Sequence, residues 1–238
     1  MGESPVSEKP VRRVLVVYYS FSHQTLNLLK GLTQGLEENG VEVTWESLRT
    51  VEPLRFPIGT VLSTVWMMLL TFFRKRYAIK EISPDCFSSW DLIILAGPTW
   101  SYNPSGPVLS LFDRDGERLF KGQLVMPFIS CRGYWRMHLF GLRRLLKKCG
   151  AETTDPIVFS HPTMEPWRTI GVFLKLAGKV PEAGTSWFRR FYPKYGHSRK
   201  QVAEALEIGR VLGPQIVKGE TVDCGFCTTP VKLSESDQ

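Results

Sequence analysis

The chain is poor in residues that build metal centres and disulfide frameworks. Its 238 residues include five cysteines and four histidines, all scattered. An odd number of unevenly spaced cysteines excludes a disulfide scaffold and fits a reducing, cytoplasmic setting. His23, His138, His161 and His197 show no H-E-x-x-H spacing, so no metal site is expected. The single C-x-x-C, Cys224-Gly225-Phe226-Cys227, lacks the second pair that a zinc ribbon requires and reads as part of a tail. A Walker loop and a G-x-G-x-x-G fingerprint are absent, as are internal repeats. Met1–Arg13 carries charges and two prolines but no apolar leader, so no secretory signal is expected.

Acid is scarce in one place. Arg168–Lys200 holds eight basic residues and only Glu182, a surplus equal to the formal net charge of +7 for the whole chain. Such a local field suits an anionic surface, nucleic acid or an anionic substrate. Otherwise the composition is ordinary for a globular protein, with 43% hydrophobic and 22% charged residues.

What is present is alternation. Val14–Tyr19 is an unbroken apolar run, the pattern of a strand buried on both faces. A helix pattern follows over Leu26–Glu38, closed by Asn39-Gly40. Further strands are expected at Val41–Glu46, Leu92–Ala96, Leu124–Ser130 and Pro156–Phe159. Helices are expected from Pro104–Pro107 to Phe112, over Tyr134–Lys148, and over Ser198–Val217 after an irregular insert. This rhythm predicts an α/β fold: a doubly wound, five-stranded parallel sheet of order 2-1-3-4-5 with helices on both faces. Residues 11–219 form the single predicted domain, between a flexible N-terminus (1–10) and a C-terminal tail (220–238). Within the domain, 56–76 is an apolar crossover segment and 161–197 a basic, aromatic insert.

Three polar loops fall at the carboxyl ends of the strands, where such sheets bind ligands. The first, Ser20-Phe21-Ser22-His23-Gln24-Thr25, gathers hydroxyl and amide groups at a helix N-terminus, a natural phosphate pocket. The second is Ala96-Gly97-Pro98-Thr99-Trp100-Ser101-Tyr102-Asn103-Pro104, and the third Ser130-Cys131-Arg132-Gly133-Tyr134-Trp135. An aromatic held in a Pro-bounded turn can stack on a flat heterocycle. On these loops the chain resembles the flavodoxin-like flavoprotein family, over roughly Val11–Phe159 plus the last helix. The family's first loop reads Ser/Thr-x-Thr-Gly-x-Thr, and Ser20, Ser22, Gln24 and Thr25 hold the corresponding positions. His23 stands where glycine is usual, and a Cβ there costs energy if the position needs a positive φ.

The resemblance implies FMN as cofactor. Ser20, Ser22, His23, Gln24 and Thr25 would surround the phosphate. Pro98, Thr99, Trp100, Ser101, Tyr102 and Asn103 would meet the ring, as would Ser130, Cys131, Arg132, Gly133 and Tyr134. Trp100 is the expected stacking residue; its other reading is an aromatic that plugs the sheet end. Tyr134 and Trp135 either stack on the flavin or anchor the following helix. Cys131 reads as a buried or rim thiol. The implied activity is redox chemistry, with a small-molecule or protein redox partner and a quinone-like or aromatic acceptor.

Phe56–Phe73 is eighteen residues without a charge, flanked by Arg55 and by Arg74-Lys75-Arg76. A membrane span between two strands of one sheet is excluded by topology. The segment is then a buried or dimer-covered crossover helix, a lid, or an interfacial helix. The insert's interleaved aromatic and basic residues suit an anionic membrane surface through 168–200, at the inner membrane face. No nucleic acid is expected, because no recognised binding module accompanies the patch. The rival reading is a flavin-free adaptor in which His23 blocks the phosphate site.

Overall fold

The computed structural model describes residues 11–183 and 186–222; the Cys224 and Cys227 pair, the N-terminus and most of the predicted tail lie outside them. In chain order the elements are β1 (Arg13–Tyr18), α1 (Gln24–Glu37), β2 (Glu42–Ser47), α2 (Val61–Phe72) and β3 (Leu92–Trp100). There follow β4 (Asn103–Pro104), α3 (Gly106–Arg114), α4 (Gly116–Phe120), β5 (Leu124–Cys131) and α5 (Trp135–Lys148). The remainder is β6 (Glu152–Thr153), β7 (Ile157–Ser160), α6 (Trp167–Leu176), α7 (Ser186–Phe191) and α8 (Arg199–Lys218).

The parallel sheet has the order β2-β1-β3-β5, with β6 and β7 sharing the outer side of β5. This is the flavodoxin-like doubly wound order 2-1-3-4-5 expected from the alternation. Val14–Val17 is fully buried, and its side chains alternate between two cores. Val14 and Val16 pack with leucines of α1 and with Ala205, Ile208 and Leu212 of α8. Leu15 and Val17 pack against α3, α4 and α5 through Leu111, Phe120 and Leu142. The helices therefore cover both faces.

On the first face α1 and α8 approach backbone to backbone. A Cβ on Gly35 would strike the Leu206 carbonyl oxygen, and one on Gly209 the Leu32 carbonyl oxygen. A capping box of Ser198 and Gln201 starts α8, and Gly219 in the left-handed region ends it.

Four details differ from the sequence expectation. β3 runs on to Trp100, because Gly97 and Pro98 still face Ile129 and Ser130 of β5. Its end then folds back on β4. The fifth strand is split: β6 and β7 flank Asp155-Pro156, where proline cannot donate to a ladder. The insert is not irregular, since it contains α6 and α7, packed together through Trp167, Trp187 and Phe191.

The fourth correction concerns the crossover. Only Val61–Phe72 of the apolar segment is helical, and α2 is not buried within this chain. Its inward positions are Thr64 and Thr71, whose hydroxyls donate to carbonyl oxygens of Thr60 and Met68 within the helix. Its outward positions are large and apolar. Among the described residues no helix is long and apolar enough to cross a membrane.

Candidate functional site

The β1–α1 loop turns sharply between Tyr19, whose N–H donates to the Ala96 carbonyl, and the first turn of α1. The Ser20 hydroxyl oxygen accepts from the Leu26 N–H at 3.3 Å, so it is spent on the helix start. His23 is the N-cap, at φ 59° and ψ 1°. This is the left-handed region that the usual glycine would occupy without strain. The His23 side chain is exposed and does not line the cavity below. His23→Gly should therefore stabilise the fold by about 1 kcal/mol, raising Tm by about 2–4 °C in thermal melting. An unchanged or lower Tm would show that the strain is not there to relieve.

The turn from β3 into β4 carries two further residues with positive φ, Ser101 (42°) and Tyr102 (71°). Strain of this kind persists only where the surroundings over-determine it. Here α2 does so. The Ser101 hydroxyl bonds the Met68 carbonyl at 2.9 Å and the Thr71 hydroxyl at 2.8 Å. Asn103 donates through Nδ2 to the carbonyls of Thr71 and Phe72. The turn presents Trp100, whose ring is locked edge-on against Tyr19, Phe21 and Tyr77 at 5.5–6.0 Å between centroids. Behind it the Thr99 hydroxyl meets His138 Nδ1 at 2.7 Å. Burial pushes His138 down to about 3, so the ring is neutral.

At the end of β5, the Ser130 hydroxyl meets His197 Nε2 at 2.8 Å, and His197 Nδ1 meets Gln201 Oε1 at 3.2 Å. Cys131 is buried and its thiol is pushed up, chiefly by that burial, with Ser160, Arg168 and Gly133 acting in the opposite direction. Tyr134 is exposed and lies 5.2 Å from the Tyr102 ring; Arg132 sits over Tyr134 at 5.9 Å.

The insert supplies the residues that sequence reasoning missed. The Tyr195 hydroxyl donates to Ser22 Oγ at 3.1 Å, and the His197 N–H donates to Gln24 Oε1 at 2.8 Å. Gly196 passes so close to the Gln24 amide that a Cβ would collide with it. His161 and His197 are pushed down to about 3 and about 4, by burial first in each case. The Thr163 N–H approaches His161 Nδ1 and the Gly196 N–H approaches Nε2, at 3.2 Å each, and the Tyr192 hydroxyl lies 3.5 Å from Nε2. The only hint in the sequence was the basic, aromatic character of 161–197.

Two adjoining chambers result. The smaller, of about 140 Å³, is lined by Ser22, Gln24, Thr25, Pro98, Ser130, Cys131 and the insert's His161, Gly196 and His197, with Phe21, Val172 and Leu176 as apolar walls. An apolar one of about 280 Å³ is lined by Ser101, Tyr102, Gly133 and Tyr134, and roofed by Met67, Met68 and Phe72 of α2 and Phe173 of α6. Thr99, Trp100 and Arg132 border both. Together they fall within the roughly 300–1,000 Å³ of small-molecule sites. Ser20, His23 and Asn103 line neither chamber: the first caps α1, the second faces solvent and the third ties the turn to α2.

No protein-family model matches the sequence, and no curated protein matches it. Several solved structures are similar in fold. A flavoprotein in complex with FMN from Lactobacillus acidophilus is 16% identical, with 62% of this chain and 93% of that one covered, at a TM-score of 0.46. A flavodoxin from the domain Archaea is 14% identical, covering 86% and 98%, at 0.48. Oxidised flavodoxin 1 from Bacillus cereus is 13% identical, covering 87% and 97%, at 0.47. The strand order and the crossovers described above are what define the fold.

Proposed function

We propose that the chain is an FMN-binding redox protein that reduces an apolar, quinone-like or aromatic acceptor. The observation that carries this reading is the state of the hydrogen-bonding groups at the β1–α1 end of the smaller chamber. Ser22 Oγ and Gln24 Oε1 already accept from Tyr195 and His197. Each also keeps a donor, the Ser22 O–H and the Gln24 Nε2 amide. Thr25 adds a hydroxyl, and the backbone N–H groups of Gln24 and Thr25 have no acceptor among the described residues. A pocket in which free N–H and O–H donors gather at a helix N-terminus fits an anion such as a phosphate monoester. With His161 and His197 neutral, Arg132 is the cationic side chain in the chamber's lining.

The donor set therefore fits FMN. Ser22, Gln24 and Thr25 would hold the phosphate, while Thr99, Trp100, Arg132 and Tyr134 would border the ring. Bound FMN would supply two-electron transfer to the acceptor. The protein orients both partners and excludes water. α2 and α6 give the acceptor side an apolar lining, which matches a flat hydrophobic molecule better than a charged one.

The test is the visible spectrum of freshly purified protein, followed by titration with FMN while flavin fluorescence is read. A flavin band, or saturable quenching, is expected. Neither band nor quenching in either redox state would overturn the reading in favour of a flavin-free adaptor.

A further inference from the structure

The outward face of α2 is unlike that of a soluble helix. Leu62, Val65, Trp66, Leu69 and Phe73 stand at positions i, i+3, i+4, i+7 and i+11, forming a single stripe. All are exposed, Leu62 to 79% and Phe73 to 73%. The threonines that would normally face water point inward. With twelve residues the helix is about 18 Å long, a length that lies on a membrane rather than crossing it.

Charge decides what can cover this stripe. Residues 53–80 contain Arg55, Arg74, Lys75, Arg76 and Lys80 and no acid. Arg55 precedes the helix and Arg74–Arg76 follow it directly. The insert adds to the N-terminal end. The backbone N–H groups of Ile58 and Gly59 donate to the Leu176 carbonyl, and Gly178 lies against Gly59, which brings exposed Lys179 and Val180 alongside. Of the acids nearby, Asp113 pairs with Arg76 and Glu165 with Arg168, while exposed Glu52 and Glu81 bound the basic stretch; Arg55, Arg74, Lys75 and Lys80 still outnumber them. Pairing two copies through α2 would set basic ends against basic ends in either orientation. A surface of fixed negative charge above an apolar layer has no such conflict.

We propose that this face docks on an anionic lipid bilayer. α2 lies in the interfacial plane with its apolar stripe among the acyl chains, and the flanking Arg and Lys residues meet lipid phosphates. The proposal does not rest on FMN, because the stripe and its basic ends are there whether or not a flavin is bound.

The experiment is vesicle flotation of the full chain at low salt. It compares phosphatidylcholine alone with phosphatidylcholine mixed with phosphatidylglycerol. Binding at least about tenfold tighter to the mixed vesicles is expected, with release at high salt. The triple variant Leu62→Ser, Trp66→Ser, Leu69→Ser should lose that binding by about tenfold or more with an unchanged melting temperature, since all three side chains are exposed. No binding to the mixed vesicles, equal binding to both, or full binding by the triple variant would overturn the proposal. So would a dimer in sedimentation velocity that the triple variant converts to monomer, which would assign the face to a second copy.

Discussion

Replacing Gln24 by glutamate is expected to weaken FMN binding about a hundredfold while leaving riboflavin binding within a factor of about two. The substitution is nearly isosteric. A carboxylate oxygen can still accept the His197 N–H that Gln24 Oε1 accepts now, so the tie between insert and loop survives. What changes is the other terminal atom, from an amide donor to an acceptor carrying charge. Unit charges about 4 Å apart repel by about 4 kcal/mol at an effective dielectric near 20, and partial screening by solvent brings this towards the hundredfold stated. Riboflavin has the same ring without the phosphate and should not register the charge. Paired fluorescence titrations decide the matter. Equal loss for both ligands would trace the defect to folding or to the ring chamber. No loss for FMN would remove the β1–α1 loop from the site.

The second large effect concerns stability. Gly209→Ala and Gly35→Ala should each destabilise the protein by about 3 kcal/mol or more, read as a shift in the urea midpoint at constant slope. Helix propensity alone predicts the opposite sign, since alanine is better than glycine in a helix interior by about 1 kcal/mol. The obstacle is backbone. A methyl group on either glycine meets a carbonyl oxygen of the partner helix, which cannot rotate out of the way as a side chain would. α1 and α8 would have to separate, and the core of Leu28, Leu32, Ala205 and Ile208 beneath them would open. A gain in stability for either variant would show that the two helices can move apart cheaply.

The strand order was legible because the physics behind it is local and repetitive. Val14–Val17 and Leu92–Ala96 carry side chains that must be buried on both sides, and only a covered parallel sheet does that. The loops of the site were legible for a related reason. Polar residues that interrupt such runs, as Ser20–Thr25 and Thr99–Asn103 do, have nowhere to go but the sheet's carboxyl edge. Long-range closure was not legible. Nothing in Tyr195-Gly196-His197 announces a contact with Ser22 and Gln24, which stand more than 170 positions away. The direction of α2 also escaped, because an all-apolar stretch has no polar side to mark as outward. The rotation is fixed by tertiary contacts, the bonds of Thr71 and Met68 with Ser101 and of Asn103 with the last carbonyls of the helix. His23 was recognised as the unusual residue, and its effect is on backbone strain.

The clamp between α2 and the turn at residues 100–103 bears on kinetics. The hydrogen bonds that Ser101 and Asn103 make with α2 would have to break before the roof could lift from that turn. The edge of the roof against α6 is held by two backbone bonds, from Ile58 and Gly59 to a single carbonyl oxygen. Traffic into and out of the apolar chamber should therefore pass along the α6 side. Dissociation rates should respond to changes at Leu176 and its neighbours more than to changes at Asn103. The residence time of whatever binds there is then a property of the insert, while the position it takes up is a property of the sheet.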